Sequence, residues 1–332
     1  MTDTRNTTDA KRDARKTNAS KTNARSPDAR SEPATRRGIH ARLADLPPLA
    51  EQPPDSGFES TRTMPLRVEF VRQFKRRRTR LTMLFMAILP ILIASAFDIG
   101  GSGSGSGSGG VALVDLATSG AGNFALFTEF ASVGFLLVVI VAMFCGDTVA
   151  SEASWSSLRY LLAAPIPRAR LLRQKLAVAL GFSFGVNLLL PAWAYLVGGV
   201  FFGWAPAKSP LGATFSYAET WERMAIVGGY ACGQAVVVAA LAFFLGVLTD
   251  APLAAVGGAT FVVVVSNILD SITALDPYRV VLPTHFQYSW LDALSRQISW
   301  DDMIRGTSLA VIYSALLFTA AWIRFARKDI TS

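Results

Sequence analysis

The sequence predicts an all-α integral membrane protein: six transmembrane helices, preceded by an interfacial amphipathic helix and a disordered N-terminal tail. Three observations carry that prediction. Hydrophobic residues make up 51% of the 332 and charged residues only 17%, well below the roughly 25% usual for soluble domains. Six long, nearly uncharged apolar stretches recur between residues 81 and 323, each near the length needed to cross a hydrocarbon core. The basicity is also uneven. Residues 1–80 hold 19 Lys+Arg and 10 Asp+Glu, whereas residues 81–332 hold 13 and 14. The net charge of +8 is therefore a property of the N-terminal region.

Residues 1–63 are rich in Thr, Asp, Arg, Asn, Ser and Pro and show no apolar periodicity. Such a segment cannot bury enough surface to offset its chain entropy, so a disordered basic tail is expected. A basic tail invites a nucleic-acid reading; beside membrane spans, a cytoplasmic tail next to anionic lipid accounts for it better, and no nucleic-acid partner is expected. With no apolar core segment in these residues, no cleavable signal peptide is expected either. Residues 64–80 change character. Leu66, Phe70 and Phe74 recur at i, i+4 and i+8, which aligns them on one helical face, while Arg67, Arg72, Lys75 and Arg76 occupy others. That is the pattern of a helix lying in the membrane interface; a solvated linker helix is the alternative.

The spans are expected at about 81–97, 126–146, 176–203, 224–248, 251–269 and 306–323. Pro90 would kink the first, a feature tolerated in membrane helices when neighbours satisfy the freed carbonyl. Asp250-Ala251-Pro252 separates the fourth from the fifth. The loop 98–125 contains a Gly-Ser run from Gly100 to Gly110, a flexible linker composition. With the N-terminus cytoplasmic, the inner segments 64–80, 147–175 and 324–332 carry 15 Lys+Arg. The outer segments 204–223 and 270–305 carry 5. The positive-inside rule then places both termini in the cytoplasm, and the plasma membrane is the expected location.

A search for chemistry returns little. The sequence has no phosphate-binding G-x-x-x-x-G-K-[ST] loop, no G-x-S-x-G and no H-E-x-x-H. Its two histidines, His40 and His285, are far apart in the chain and predict no metal set; no cofactor is expected. Cys145 and Cys232 lie in apolar stretches and read as small buried hydrophobes. Glu129, Asp98 and Asp270 fall near span ends, where a carboxylate can reach water. Asn187, Gln234 and Asn267 lie deeper, where polar side chains commonly hydrogen-bond between helices. The spacings Gly199-x-x-x-Gly203 and Gly229-x-x-x-Gly233, with Gly198, Gly228 and the pair Gly257-Gly258, suggest close helix packing.

The informative segment joins the second and third spans: GDTVASEASWSSLRYLLAAPIPRARLLRQKLA. It is too polar to be membrane and too patterned to be a loose linker. Ser151 would cap a short helix from Glu152 to about Ala163, with Glu152 in its first turn. Leu158, Leu161 and Leu162 form an apolar stripe beside Trp155, and Pro165 and Pro167 end the helix. An apolar stripe turned away from lipid needs a partner groove; a helix lying flat on the bilayer is the alternative.

These residues resemble the permease subunits of ABC type-2 transporters. The family's acidic residue, Gly-Thr-Leu, paired leucines, Pro, Arg, paired leucines and Lys correspond to Glu152, Ser156-Ser157-Leu158, Leu161-Leu162, Pro165, Arg168, Leu171-Leu172 and Lys175. The sequence departs from the family at Ser156-Ser157. Its ending, Phe325-Ala326-Arg327-Lys328-Asp329-Ile330, is similar to the family's C-terminal pattern, and the resemblance spans about 64–332. It implies a permease subunit of an ABC exporter over 81–332, paired as a homodimer or heterodimer and driven by a separate ATPase subunit. The chain itself would then be no enzyme. Residues 64–80 would be the connecting helix. Glu152, Trp155, Leu158, Leu161, Leu162, Pro165 and Arg168 would form the coupling element seated in the ATPase. Segment 270–305 would hold short re-entrant or capping helices. A secondary transporter or channel is the main rival; such folds usually show repeated halves or intramembrane charges. An intramembrane enzyme would need paired catalytic groups at membrane depth.

Overall fold

A computed structural model describes residues 66–100, 110–154, 168–209 and 213–327. The expected disordered tail, most of the Gly-Ser run and residues 155–167 lie outside them. The described residues are all-helical. In chain order they form α1 (Leu66–Lys75), α2 (Arg77–Gly100), α3 (Gly110–Ala117), α4 (Ala121–Val133), α5 (Leu136–Ser154), α6 (Arg168–Phe202), α7 (Tyr217–Thr249), α8 (Pro252–Asp270) and α9 (Asp301–Ala326). Three short 3-10 helices, Thr273–Leu275, Tyr278–Val281 and Ser289–Leu294, lie between α8 and α9.

Five helices, α2, α6, α7, α8 and α9, are long and apolar enough to cross a membrane. The second expected span differs from expectation: α4 and α5 meet at a bend of 60°. Gly134, between the two helices, allows a close approach. A Cβ there would lie 2.5 Å from the Tyr288 hydroxyl oxygen, and the Asn267 amide approaches the Gly134 carbonyl at 3.4 Å. The loop expected over 98–125 also contains α3 and the start of α4.

α7 is the axis of the bundle, packing against α5, α6, α8 and α9. Half of its most apolar window is buried (50%), against 17% for the peripheral α2. Small residues make that central position possible: Ala239, Ala240 and Ala242 are fully buried. A Cβ on Gly246 would lie 2.6 Å from the Gly146 carbonyl oxygen, so α5 and α7 cross backbone to backbone. The expected Gly-x-x-x-Gly pairs do not make such contacts. Gly203, Gly229 and Gly233 have open space where a Cβ would go, and Gly199 faces Trp204 of its own connection. Gly198 does fit the packing reading, lying against Phe124 of α4.

Local signals explain the boundaries of α7. Ser216 accepts from the Glu219 backbone N–H at 3.2 Å and Glu219 accepts from the Ser216 backbone N–H at 2.7 Å, a reciprocal capping box. At the other end Asp250 adopts a left-handed conformation (φ 53°), tolerated by aspartate, and Pro252 opens α8. Pro90 lies inside α2. Near the carbonyls that it disturbs, the Trp193 indole donates to Ala87 O at 2.8 Å, which ties α2 to α6.

Two apolar clusters occupy opposite ends of α7. One gathers Phe124, Tyr195, Val227, Trp290 and Leu294 under the 3-10 helices. The other gathers Cys145, Leu171, Phe243, Val247 and Phe325. The 3-10 segment is pinned by hydrogen bonds from Tyr230 to Phe286 O (2.6 Å), Tyr313 to Val281 O (2.5 Å) and Arg223 to Ser295 O (2.8 Å). Arg223 also bonds Ala293 O and sits over the Phe215 ring.

Candidate functional site

The chemistry concentrates where α1, the α1–α2 corner, the C-terminal end of α5 and the N-terminal part of α6 meet. Lys175, two turns into α6, is 1% exposed. Its Nζ lies 2.6 Å from Glu152 Oε1 and 3.0 Å from Glu69 Oε1. Arg72 reaches the same Glu152 oxygen at 3.1 Å. Arg76 donates to Asp147 Oδ2 at 3.1 Å and to Ser151 Oγ at 3.2 Å, and Arg78 donates to Asp147 Oδ1 at 2.7 Å. Three buried carboxylates thus meet four cationic side chains. The local sequence explains the placement. Glu69 and Gln73, four apart on α1, turn inward together, while Asp147, Ser151 and Glu152 occupy the last two turns of α5.

Such a network costs desolvation energy, which close pairing offsets; removing one partner leaves the others buried and uncompensated. Its mechanical effect is to fasten α1 to the roots of both helices that flank residues 155–167. The hydrophobic side chains of α1 lie outside this network. Leu66, Phe70 and Phe74 are each about half exposed, and Phe70 stacks on Phe182 of α6 at 4.7 Å.

This geometry corrects one expectation. Ser151 does not cap a new helix at Glu152: α5 runs unbroken through both to Ser154, because their side chains are held by the ionic network and the helix has no reason to break there. Of the other residues predicted for coupling, Arg168 opens α6; Trp155, Leu158, Leu161, Leu162 and Pro165 lie outside the described residues. Reading the sequence missed Glu69, Arg72, Arg76 and Asp147 as a set. A signal existed: Asp147 closes one apolar stretch and Arg76 to Arg78 precede another, so hairpin pairing of those stretches brings the charges together.

A second feature lies inside the bundle. A cavity of about 50 Å³ is bounded by α5, α6, α7, α8 and the 3-10 segment, with Asn187, Gln234, Thr284 and Gln287 supplying its polar groups. That is room for a few water molecules at about 10–15 Å³ each. Among the described residues, Gln234 Nε2 and Gln287 Nε2 have no hydrogen-bond partner. Neither do both carboxylate oxygens of Glu129, which is fully buried. Glu129 is therefore not the water-reaching carboxylate expected from its position near a span end. The neighbouring Phe130 packs against Tyr288 and Trp290 of the 3-10 segment while remaining part-exposed. Asn187 bonds Ser183 O of its own helix rather than bridging helices, whereas Asn267 does bridge, to Gly134.

Outside the spans, the guanidinium of Arg279 holds the Asp276 carboxyl below its ordinary range through paired hydrogen bonds of 2.9 Å. Burial pushes the Asp292 carboxyl up. His285 Nδ1 lies 2.5 Å from Asp270 Oδ1, so both are partnered at the end of α8. Among the described residues, no group of three His, Cys, Asp or Glu side chains converges in a metal-binding arrangement.

The model of a family described as "Protein of unknown function (DUF2705)" matches residues 84–331. The match begins within α2 and leaves α1 outside. No curated protein matches the chain.

Proposed function

The chain belongs to the DUF2705 family, and from the residue pattern around Glu152 and the ionic network beside it we propose that it is the membrane-spanning permease subunit of an ABC exporter. It forms the substrate pathway as a dimer and is driven by a separate ATPase subunit. In this reading the bundle has six spans, with α4 and α5 together making the second. Both termini are cytoplasmic and the protein resides in the plasma membrane. α1 lies in the membrane interface, with the exposed halves of Leu66, Phe70 and Phe74 toward lipid.

The observation that carries the reading is the ionic network at the roots of residues 155–167. A coupling element must pass force from a soluble motor to more than one membrane helix. Glu152 and Lys175 lock the end of α5 to the start of α6, and Glu69, Arg72 and Arg76 add α1 and the approach to α2. A push on 155–167 then moves these elements as a unit. The sequence also lacks a phosphate-binding loop, which suits a permease whose motor is a separate chain. The Trp155, Leu158, Leu161 and Leu162 stripe would seat in the ATPase, with Pro165 and Arg168 closing the element.

The test is the double variant Leu158→Asp with Leu162→Asp, expressed with the ATPase partner. The expected result is normal membrane insertion, with loss of ATPase co-purification and of transport-linked hydrolysis. Intact co-purification and hydrolysis would overturn the coupling assignment. One observation favours a second reading, a secondary transporter or channel uncoupled from ATP: the fully buried Glu129, whose carboxylate oxygens have no hydrogen-bond partner among the described residues, since intramembrane carboxylates often mark ion pathways. Transport that persists without any ATPase but is lost in Glu129→Gln would select that reading.

A further inference from the structure

We infer that the arginine-lined pocket at the α1–α2 corner binds the phosphate headgroup of an anionic membrane lipid. The pocket, about 400 Å³, is walled by Arg72, Arg76, Arg77 and Arg78 on one side and by the end of α5, with Asp147 and Glu152, on the other. Its charges do not balance. Counting Lys175 and Glu69, which share the network, five cationic side chains meet three carboxylates, a surplus of two. Arg77 carries much of that surplus: it is exposed and, among the described residues, has no ion-pair partner. A guanidinium recognises a phosphate through paired N–H donors.

An apolar track running from the pocket along α2 makes the ligand a lipid and not a free phosphate. Arg77, Leu81, Leu84 and Ile88 are spaced by four, three and four residues, which places them on one helical face. Leu81, Leu84, Phe85, Ile88 and Leu92 are all exposed large apolar side chains. A headgroup held by Arg77 therefore has an apolar surface one turn away for its acyl chains. The arginines stand directly before the apolar run that begins at Leu81, the position where basic clusters meet anionic headgroups. This inference rests on α2 crossing the membrane; it does not depend on coupling to an ATPase.

The test uses the full chain purified in mild detergent, delipidated, and offered phosphatidylglycerol or phosphatidylcholine of equal chain length, with retained lipid counted by native mass spectrometry. Phosphatidylglycerol should be retained preferentially. Arg77→Glu should cut that retention by at least about fivefold, the effect of losing one basic contact near an anionic surface. Inorganic phosphate at the same concentration should not displace the lipid. Arg77→Gln, which introduces no opposite charge, is read in the same way should Arg77→Glu fail to accumulate. Equal retention of both lipids, unchanged retention in the Arg77 variants, or displacement by inorganic phosphate would each overturn the proposal. Membrane insertion of the unmodified chain is scored separately, so failure of the spanning reading is distinguishable from failure of the lipid site.

Discussion

Lys175 holds an ammonium group in a nearly solvent-free position because Glu69 and Glu152 hold their carboxylates there too. The arrangement is worth most when judged by its loss. Lys175→Met keeps the volume and removes the charge, leaving Glu69 without its close cation and Glu152 with only its arginine contacts. Removing one member of a buried ionic set typically costs about 3–5 kcal/mol. The expected outcome is a clear fall in apparent Tm in detergent, followed by thermal unfolding with size-exclusion readout, with Lys175→Arg retaining part of the stability. An unchanged Tm in Lys175→Met would show that Arg72 and Arg76 satisfy the carboxylates without it. The sequence singled out both Glu152 and Lys175. Their pairing was not legible there, since 23 residues separate them and only the return of α6 alongside α5 brings them together.

The helices α5 and α7 meet at glycines, and the elements show which glycines matter. A Cβ at Gly246 meets the Gly146 carbonyl at 2.6 Å, whereas at Gly233 it meets nothing within 4 Å. Gly246→Val should force the two backbones apart and destabilise by about 1–3 kcal/mol, the range for overpacking. Gly233→Ala should leave the apparent Tm unchanged. Equal behaviour of the two variants in the same unfolding assay would contradict the backbone-to-backbone crossing. The spacing pattern in the sequence pointed to Gly229 and Gly233 and missed this pair, because Gly146 and Gly246 lie on different helices and no periodicity within one helix reports a contact across two. The close approach of Tyr288 to Gly134, between α4 and α5, escaped detection for a similar reason: the two residues are distant in sequence.

At the scale of the whole chain, the proposed orientation rests on the excess of Lys and Arg in segments 64–80, 147–175 and 324–332. Ser332→Cys, placed in a background lacking Cys145 and Cys232, should react with an impermeant thiol reagent only after the membrane is opened. Labelling in intact cells would invert or break the proposed topology. The same orientation would put the arginine pocket and residues 155–167 on the cytoplasmic side and the 3-10 segment on the outer side.

The existence of the membrane helices could be read directly from residue order. In hydrocarbon a helix satisfies its backbone hydrogen bonds internally, so an apolar run of sufficient length specifies its own secondary structure with little help from neighbours. A helix at 66–75 was expected from the spacing of Leu66, Phe70 and Phe74, but that spacing set them against Arg67, Arg72, Lys75 and Arg76 and did not single out Glu69 and Gln73 as the buried pair. What the residues around Glu129 and Glu152 do depended on the assembled bundle. Glu129 looked close to water along the chain, yet it is fully buried in the packed helices. Glu152 looked like the start of a new helix, yet Lys175 and Arg72 hold it in the last turn of α5. Burial and charge pairing are sums over neighbours distant in sequence, and those neighbours are chosen only when the helices pack.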